Sequence, residues 1–561
     1  MTGDGSWANS TRRSWSGLIP KGRWDVGRDL VAACAVAAVA VPEQMATARL
    51  AGVPPVMGLL VFVAGSFGFF LLGSNRSLSV GADSTIAPIF AGSLVLMGAS
   101  GTPHYLALAA CLAWLVGIIV VAAGAFRMGW VARLLSVPVI TGFLAGIAVH
   151  IAVSQLPALL GIANAHHDLL GTLANLARNI AHLNPVTLAI GVAVFAITFG
   201  CEKFDIRLPG ALGATILAAF TVWMLGPAAK GIAVLGIVSA NGLEPGLPNV
   251  AFADAARLLP IALIVSFVVM IQTAATSRSF QDDADTAEVN RDLMGVGLGN
   301  ILSGLFGGFP VNGSPPRTAI VRESGGTSRF AGLFAAVIVA TFLVFGLRLL
   351  ATVPEAALAG LLLYVAQRIF RVGTMKLIAA QSRAELALLL LTATAIIVTP
   401  IETGVAIGII LSVLHGVWTI TQTRAVTFER VPGSTVWWPA SPNFVGEAHA
   451  GIVVVGFQAP LFFLNAEPFR KTLNDAIHRA PQPVRAVILE ASSIVELDFS
   501  GAQTLASLIR HWKEQGVEFY VARLESIRAQ EAFEKFGILA LLGERNIFHS
   551  VADAVEQLEH S

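Results

Sequence analysis

Gly307-Gly-Phe-Pro-Val-Asn-Gly-Ser-Pro-Pro-Arg-Thr-Ala-Ile320 decides how this chain is read. Pro310, Pro315 and Pro316 end whatever helix precedes it, and a helix restarts carrying one cation, Arg317. The run before it is apolar enough to lie in lipid. An unpaired backbone amide is costly there, so the break must line a water-filled or ligand-filled cavity inside protein. A helix N-terminus beside an arginine is a seat for an anion. The plainer alternative is a kink with a snorkelling arginine.

Composition places the stretch in context. The chain is 55% hydrophobic and 13% charged, with a mean hydropathy of +0.73, which indicates an integral membrane protein and excludes a soluble enzyme. Intervals such as 84–126, 258–277 and 403–423 hold no Asp, Glu, Lys or Arg, and several reach the length of about 20 residues that a helix needs to cross a bilayer. Apolar runs near 84–98 and 314–321 are too short and read as half-helices. Arg12, Arg13, Lys21, Arg23 and Arg28 precede the first span without a cleavage site, so residues 1–27 read as a retained cytoplasmic leader. With that end inside, the inward loops hold most of the Arg and Lys, among them Lys203, Arg278, Arg368 and Arg371, so both termini should be cytoplasmic, in a cell inner (plasma) membrane. Cys34, Cys111 and Cys201 lie in or beside apolar segments and read as packing residues. His150, within a span, reads as a satisfied neutral histidine, and the His166-His167 pair as solvated loop residues.

The transport part should cover 28–421, as two halves of about 28–226 and 256–421. A linker over 422–447 should follow, then a small α/β domain over 448–561, where short apolar runs alternate with amphipathic helices. The halves are related. Glu43-Gln-Met-Ala-Thr-Ala-Arg49 lies over Gln272-Thr-Ala-Ala-Thr-Ser-Arg278 at an offset of 229 (272 − 43), which also sets Asp83 on Asn312. The first-half counterpart of the proline-rich break is then Ser77 to Pro88. Paired interrupted segments point to a transporter's binding site near the bilayer midplane.

These residues resemble the SulP anion transporter family of sulfate permease type. The resemblance rests on Pro42-Glu-Gln-Met-Ala-Thr-Ala and Leu50-Ala-Gly-Val-Pro-Pro, on Ser79-Val-Gly-Ala, and on the stretch quoted first. Pro460-Leu-Phe-Phe-Leu-Asn-Ala-Glu and Leu497-Asp-Phe-Ser-Gly in the C-terminal region resemble a STAS domain. The resemblance implies an α-helical polytopic protein of fourteen transmembrane segments in two inverted seven-segment repeats, with a mobile core and a gate, followed by the STAS domain. It also implies an elevator-like movement, a homodimer, and an anion held between the third and tenth half-helices. Carried over, the substrate site falls on Glu43, Thr47, Ala82, Asp83, Ser84, Thr85, Gln272, Ser314 and Arg317, together with Asn312 and Gly313 of the second break. Many relatives carry glutamate where this chain has Gln272, and glutamine where it has Glu43. Ser500 takes the place of a phosphorylatable serine of related domains, or else caps a helix starting near Ala502.

Two half-helix ends of about +0.5 each and one arginine sum to roughly +2, which balances a divalent anion such as sulfate. Glu43 and Asp83 would cancel that field, so at least one should be protonated or cation-paired when the anion is bound; Glu43 is the first coupling candidate and Asp83 the second. A small inorganic anion, sulfate first, carried with a proton or sodium, is the leading reading. A bicarbonate/chloride or dicarboxylate exchanger or an uncoupled channel is the second. A membrane sensor signalling through the STAS domain, with a regulatory protein bound there, is the third. No cofactor, metal-ligand set, nucleic-acid surface or catalytic motif is indicated.

Overall fold

A computed structural model describes residues 25–560 apart from 134–135, 164–168, 205–208, 226–230, 236–245, 281–287, 347–350, 422–424, 442–445 and 481–482. The expected leader and the His166-His167 pair therefore lie outside the described residues, save Asp25 to Gly27. Two compact units divide the chain, Met1–Ser412 and Val413–Ser561.

In the first unit, helix α1 (Val26–Leu50) begins where the Asp25 carboxylate accepts from the amide of Arg28 at 3.1 Å. It is followed by α2 (Pro55–Leu72), a two-residue strand β1 (Val80–Gly81), a half-helix α3 (Ala87–Val95) and α4 (Pro103–Ala125). The second half repeats this pattern with α9 (Phe252–Ser279), α10 (Val289–Leu305), β2 (Asn312–Gly313), a half-helix α11 (Pro315–Glu323) and α12 (Phe330–Phe345). Moving α3 along by 229 gives 316–324, one residue from the observed α11. These elements pack on one another, α10 against α2 and α4, α9 against α4, and α12 against α1 and α2. Between and after them lie α5 (Val137–Leu160), α6 (Leu169–Asn179), α7 (Pro185–Phe204), α8 (Gly210–Leu225), α13 (Glu355–Ile369), α14 (Val372–Gln381), α15 (Arg383–Val398) and α16 (Ile401–Thr421). Of these, α5 packs on α13 and α15, and α7 on α8 and α13. The first unit thus divides into a core bundle and a gate bundle, which meet where α1 touches α8 and α13. Among the described residues, 7 helical stretches are long and apolar enough to cross a membrane, and Gly210–Leu225, Phe330–Phe345 and Thr403–Thr419 are shorter apolar helices.

Small residues set the closest approaches in the core, as expected where lipid gives helices no hydrophobic reason to associate. At the crossing of α2 and α10, a Cβ on Gly68 would lie 2.4 Å from the amide nitrogen of Gly299. His150 is satisfied as read, with Nε2 at 2.7 Å from the carbonyl of Ile396.

In the second unit, a six-stranded sheet runs in the order β4-β3-β5-β6-β7-β8, with β3 (Ala425–Arg430), β4 (Trp437–Pro439), β5 (Ile452–Phe457), β6 (Ala486–Glu490), β7 (Glu518–Ala522) and β8 (Ile547–Phe548). The last four are parallel, and β3 and β4 join antiparallel. Along β6 the pleat sends Val487 and Leu489 to one face and Ala486 and Ile488 to the other, and both faces are covered. Helices α17 (Ala466–His478), α18 (Phe499–Glu514), α19 (Ile527–Lys535) and α20 (Ile538–Leu542) cover the first face, and α21 (Val551–His560) the second. Two readings are corrected. Residues 425–430 and 437–439, expected in a linker, are strands of the sheet. The alternating cue is weak on an edge strand and on the partly exposed strand next to it. Ser500 does not cap α18, which begins at Phe499 with Asp498 as its cap, the carboxylate accepting from Gly501 N at 2.7 Å. Ser500 lies exposed in the first turn.

Gly68→Ala should lower the melting temperature of the purified protein, since overpacking against a rigid backbone costs about 1–3 kcal/mol. Gly332→Ala, where a Cβ meets nothing within 4 Å, should leave it unchanged.

Candidate functional site

Both proline- and glycine-rich breaks are needed to build the site, because each supplies the other's missing hydrogen bonds. Val80 pairs antiparallel with Gly313 and Gly81 with Asn312, and the amide of Ser314 donates to Ser79 O at 2.9 Å. Extending that register brings Ala82 opposite Val311, the two residues that the offset of 229 makes equivalent (311 − 82). Each is held at both backbone groups by one side-chain amide. Gln44 accepts from Ala82 N at 2.7 Å and donates to Ala82 O at 2.9 Å. Asn300 accepts from Val311 N at 2.9 Å and donates to Val311 O at 2.9 Å. Gln44 comes from α1 and Asn300 from α10, so equivalent backbone positions are served by non-equivalent helices.

Gln272 of α9 ties the halves together a second time. Its Oε1 accepts from Asn312 Nδ2 at 2.7 Å and from the Thr85 hydroxyl at 2.9 Å, and its Nε2 donates to Asp83 Oδ2 at 3.2 Å. Asp83 Oδ1 accepts from Thr85 N at 2.8 Å and contacts the Thr85 hydroxyl, so Asp83 caps the turn leading into α3. Thr47 stands 3.3 Å from the Ser84 hydroxyl, and Asn312 Oδ1 accepts from Gly313 N at 2.8 Å.

Arg317 departs from the sequence expectation. It is fully buried, donates from Nη1 to Glu43 Oε1 at 2.8 Å and from Nη2 to Ala82 O at 3.3 Å, and stands 5.9 Å from the centre of the Phe62 ring. Its Nε has no partner. A cavity of about 600 Å³ is lined by Glu43, Asp83, Ser84, Thr85, Gln272 and Ser314, but not by Arg317, Thr47, Ala82, Asn312 or Gly313. Glu43 is placed between the guanidinium and the cavity. The free-amide supply is also smaller than expected. Pro315 and Pro316 have no N–H and Ser314 N is committed to Ser79, so the first turn of α11 offers at most the amide of Arg317. Ala82 N and Thr85 N are committed to Gln44 and Asp83. With both carboxylates ionised, the site sums to about zero instead of +2.

The gate supplies a second wall of the cavity, where Glu202 of α7 and Arg368 of α13 meet at 3.2 Å and Arg371 follows. Sequence reading missed Gln44, although it stands inside the quoted Pro42-Glu-Gln run, and also Asn300, Phe62, Glu202 and Arg368. A polar amide deep in the apolar stretch 293–306 was the available signal for Asn300.

Residues 27–392 match the model of the Sulfate permease family, and residues 443–554 match that of the STAS domain. A probable sulfate transporter of Mycobacterium tuberculosis is 32% identical over 540 residues, covering 95% of this chain and 95% of that one. The structure of the murine solute carrier 26 family member A9 anion transporter in the inward-facing state superposes with a TM-score of 0.88 at 19% identity, covering 100% of this chain and 96% of that one. The transmembrane domain of a cyanobacterial bicarbonate transporter, BicA, gives a TM-score of 0.60 at 25% identity over 69% of this chain and 97% of that one.

Gln44→Leu should leave the buried amide of Ala82 without its acceptor, at a cost of about 1–3 kcal/mol. Thermal unfolding of the purified variant should register that loss.

Proposed function

The chain belongs to the sulfate permease family, and on that premise we propose that it carries an inorganic anion, sulfate first, across the membrane together with protons. The observation that carries the reading is the cavity in which Ser84, Thr85, Ser314 and Gln272 converge from both broken segments beside the Glu43–Arg317 pair. Hydroxyl and amide donors of this kind suit an oxyanion, and the relatives named as sulfate transporters favour sulfate. Charge arithmetic supports protons as the co-ion. Neutralising Glu43 and Asp83 leaves Arg317 and two helix ends, about +2 against a divalent guest. The hydrogen-bond count agrees, since Thr85 has one hydroxyl proton facing two acceptors, Asp83 Oδ1 and Gln272 Oε1. A proton on Asp83 would satisfy both contacts.

The places where these groups are anchored support alternating access by an elevator-type movement. Both half-helices, Glu43 and Gln272 belong to the core bundle, so a sliding core carries the site intact past the gate. The cavity runs to the ends of α7, α9 and α13, where Glu202, Ser279 and Arg368 line it. Lys203, Arg278 and Arg371 cluster there too, which favours the cytoplasmic side. At the opposite ends of α1 and α13, Arg49 pairs with Glu355 at 2.6 Å and joins core to gate. We read that pair as the latch of an inward-open state. Exchange of bicarbonate is the second reading, favoured by the neutral Gln272 and by the likeness to the bicarbonate transporter's membrane domain.

In proteoliposomes, Glu43→Gln should keep sulfate binding and lose the pH dependence of uptake. Unchanged proton dependence would reject Glu43 as the coupling site. Glu355→Gln should slow labelling of a cysteine placed at Thr276 in a background lacking Cys34, Cys111 and Cys201, because unlatching the outer end depopulates the inward-open form.

A further inference from the structure

Among the described residues, Arg368 and Arg371 are the cations that line the cavity, while Glu43, Asp83 and Glu202 are its carboxylates. The buried Arg317 is screened from the cavity by Glu43 and already has two partners. An anion in the cavity of this state therefore meets a cation on the gate wall first. Arg368 is well suited to receive it. Among the described residues its one ion pair is Nη1 to Glu202 Oε1 at 3.2 Å, with both side chains about a third exposed (32% and 28%). A monodentate, partly solvated ion pair contributes little stability, and it leaves most of the guanidinium fork uncommitted. That planar fork matches the oxygen spacing of an oxyanion better than it matches one carboxylate oxygen.

Resting on the transport reading above, we propose that Arg368, with Arg371 beside it, forms a second anion seat on the gate wall of the cavity, where sulfate or another oxyanion competes with Glu202 for the guanidinium. The seat stands on the gate and the half-helices on the core, so the two stations separate when the core slides. An anion handed to Arg368 is thereby released from the core before the core leaves. Glu202 then refills the guanidinium and prevents the released anion from being held.

The proposal predicts effects of opposite sign from the two halves of one ion pair. With the purified full-length protein, equilibrium binding of radiolabelled sulfate and uptake into proteoliposomes are measured for wild type, Arg368→Gln, Arg368→Lys, Arg371→Gln and Glu202→Gln. Arg368→Gln should raise Kd and KM for sulfate about tenfold while changing the maximal rate less than about twofold, the size expected for losing one charge-assisted contact. Glu202→Gln should lower both constants several-fold, Arg371→Gln should act as a weaker form of Arg368→Gln, and Arg368→Lys should restore most of the affinity. An Arg368→Gln protein with unchanged Kd and KM would overturn the seat. So would equal losses of maximal rate in Arg368→Gln and Glu202→Gln, which mark a structural pair. If Arg368→Gln does not fold, Glu202→Gln and Arg371→Gln still decide, and the seat falls if neither shifts KM in the stated direction. A wild-type protein that neither binds nor moves any anion of a sulfate, bicarbonate, nitrate and dicarboxylate panel would overturn the transport reading and the seat with it. Transport that persists with Arg368 indifferent would overturn the seat alone.

Discussion

Backbone groups that two interrupted helices leave open at the centre of a membrane protein must be closed by something other than water, and that constraint organises this structure. The first closure is a two-residue antiparallel ladder between the breaks, extended by the Ser314 to Ser79 bond. The second is the pair of side-chain amides, Gln44 and Asn300, that grip Ala82 and Val311. Neither break could hold its shape alone, because the partner strand and Gln272 come from the other half or bridge to it. Duplication therefore supplies complementary donors and acceptors at a place where an isolated half would lack them.

Closing the backbone in this way shifts the electrostatics onto side chains. Half-helix ends whose amides are spent on Ser79, Gln44 and Asp83 keep their dipoles but have few free donors to offer a guest. Arg317 does not compensate, because it lies in a pocket formed by Glu43, the Ala82 carbonyl and the Phe62 ring. A buried arginine with a carboxylate partner is costly to break and nearly neutral to keep. Its positive field becomes available toward the cavity only if Glu43 is neutralised, so the carboxylate, and not the arginine, would decide whether the site is close to neutral or cationic.

Much of this was legible in the chain because it is written in periodicity and in breaks. The offset of 229, found from seven residues of α1 and α9, reappears in the bounds of the half-helices and in the register of the ladder between the two breaks. Proline and glycine density located the second interruption, and the offset carried it back to the first. Direction was not legible. Whether Arg317 faces the cavity or the packed side of its half-helix depends on a first turn set by Pro315 and Pro316 and on a carboxylate 274 positions away. Arg368 and Glu202 looked like ordinary loop-end charges, since nothing in their local sequence tells that α7 and α13 end at one wall. Strand β3 was hidden for a different reason. It pairs antiparallel with β5 on one side and with the edge strand β4 on the other, and a partly solvated strand next to an edge carries a mixed pattern that reads as a connector.

The inverted repeat also bears on how the molecule changes state. Arg49 and Arg278 are equivalent by sequence, yet inversion places them at opposite ends of the core bundle. Arg49 is paired with Glu355 of the gate, whereas Arg278 is exposed near the open end of the cavity and forms no ion pair among the described residues. Two copies of one motif in unlike surroundings cannot both be at rest in a symmetric arrangement. Under the proposed elevator movement, a duplicated core against a fixed gate would take two positions related by the repeat's own symmetry, and this structure, with one end engaged and the other free, would be one of them. On that reading, contacts that cross from core to gate, such as Arg49 to Glu355, would set the balance between the two positions, while contacts inside the core, common to both, would leave it untouched.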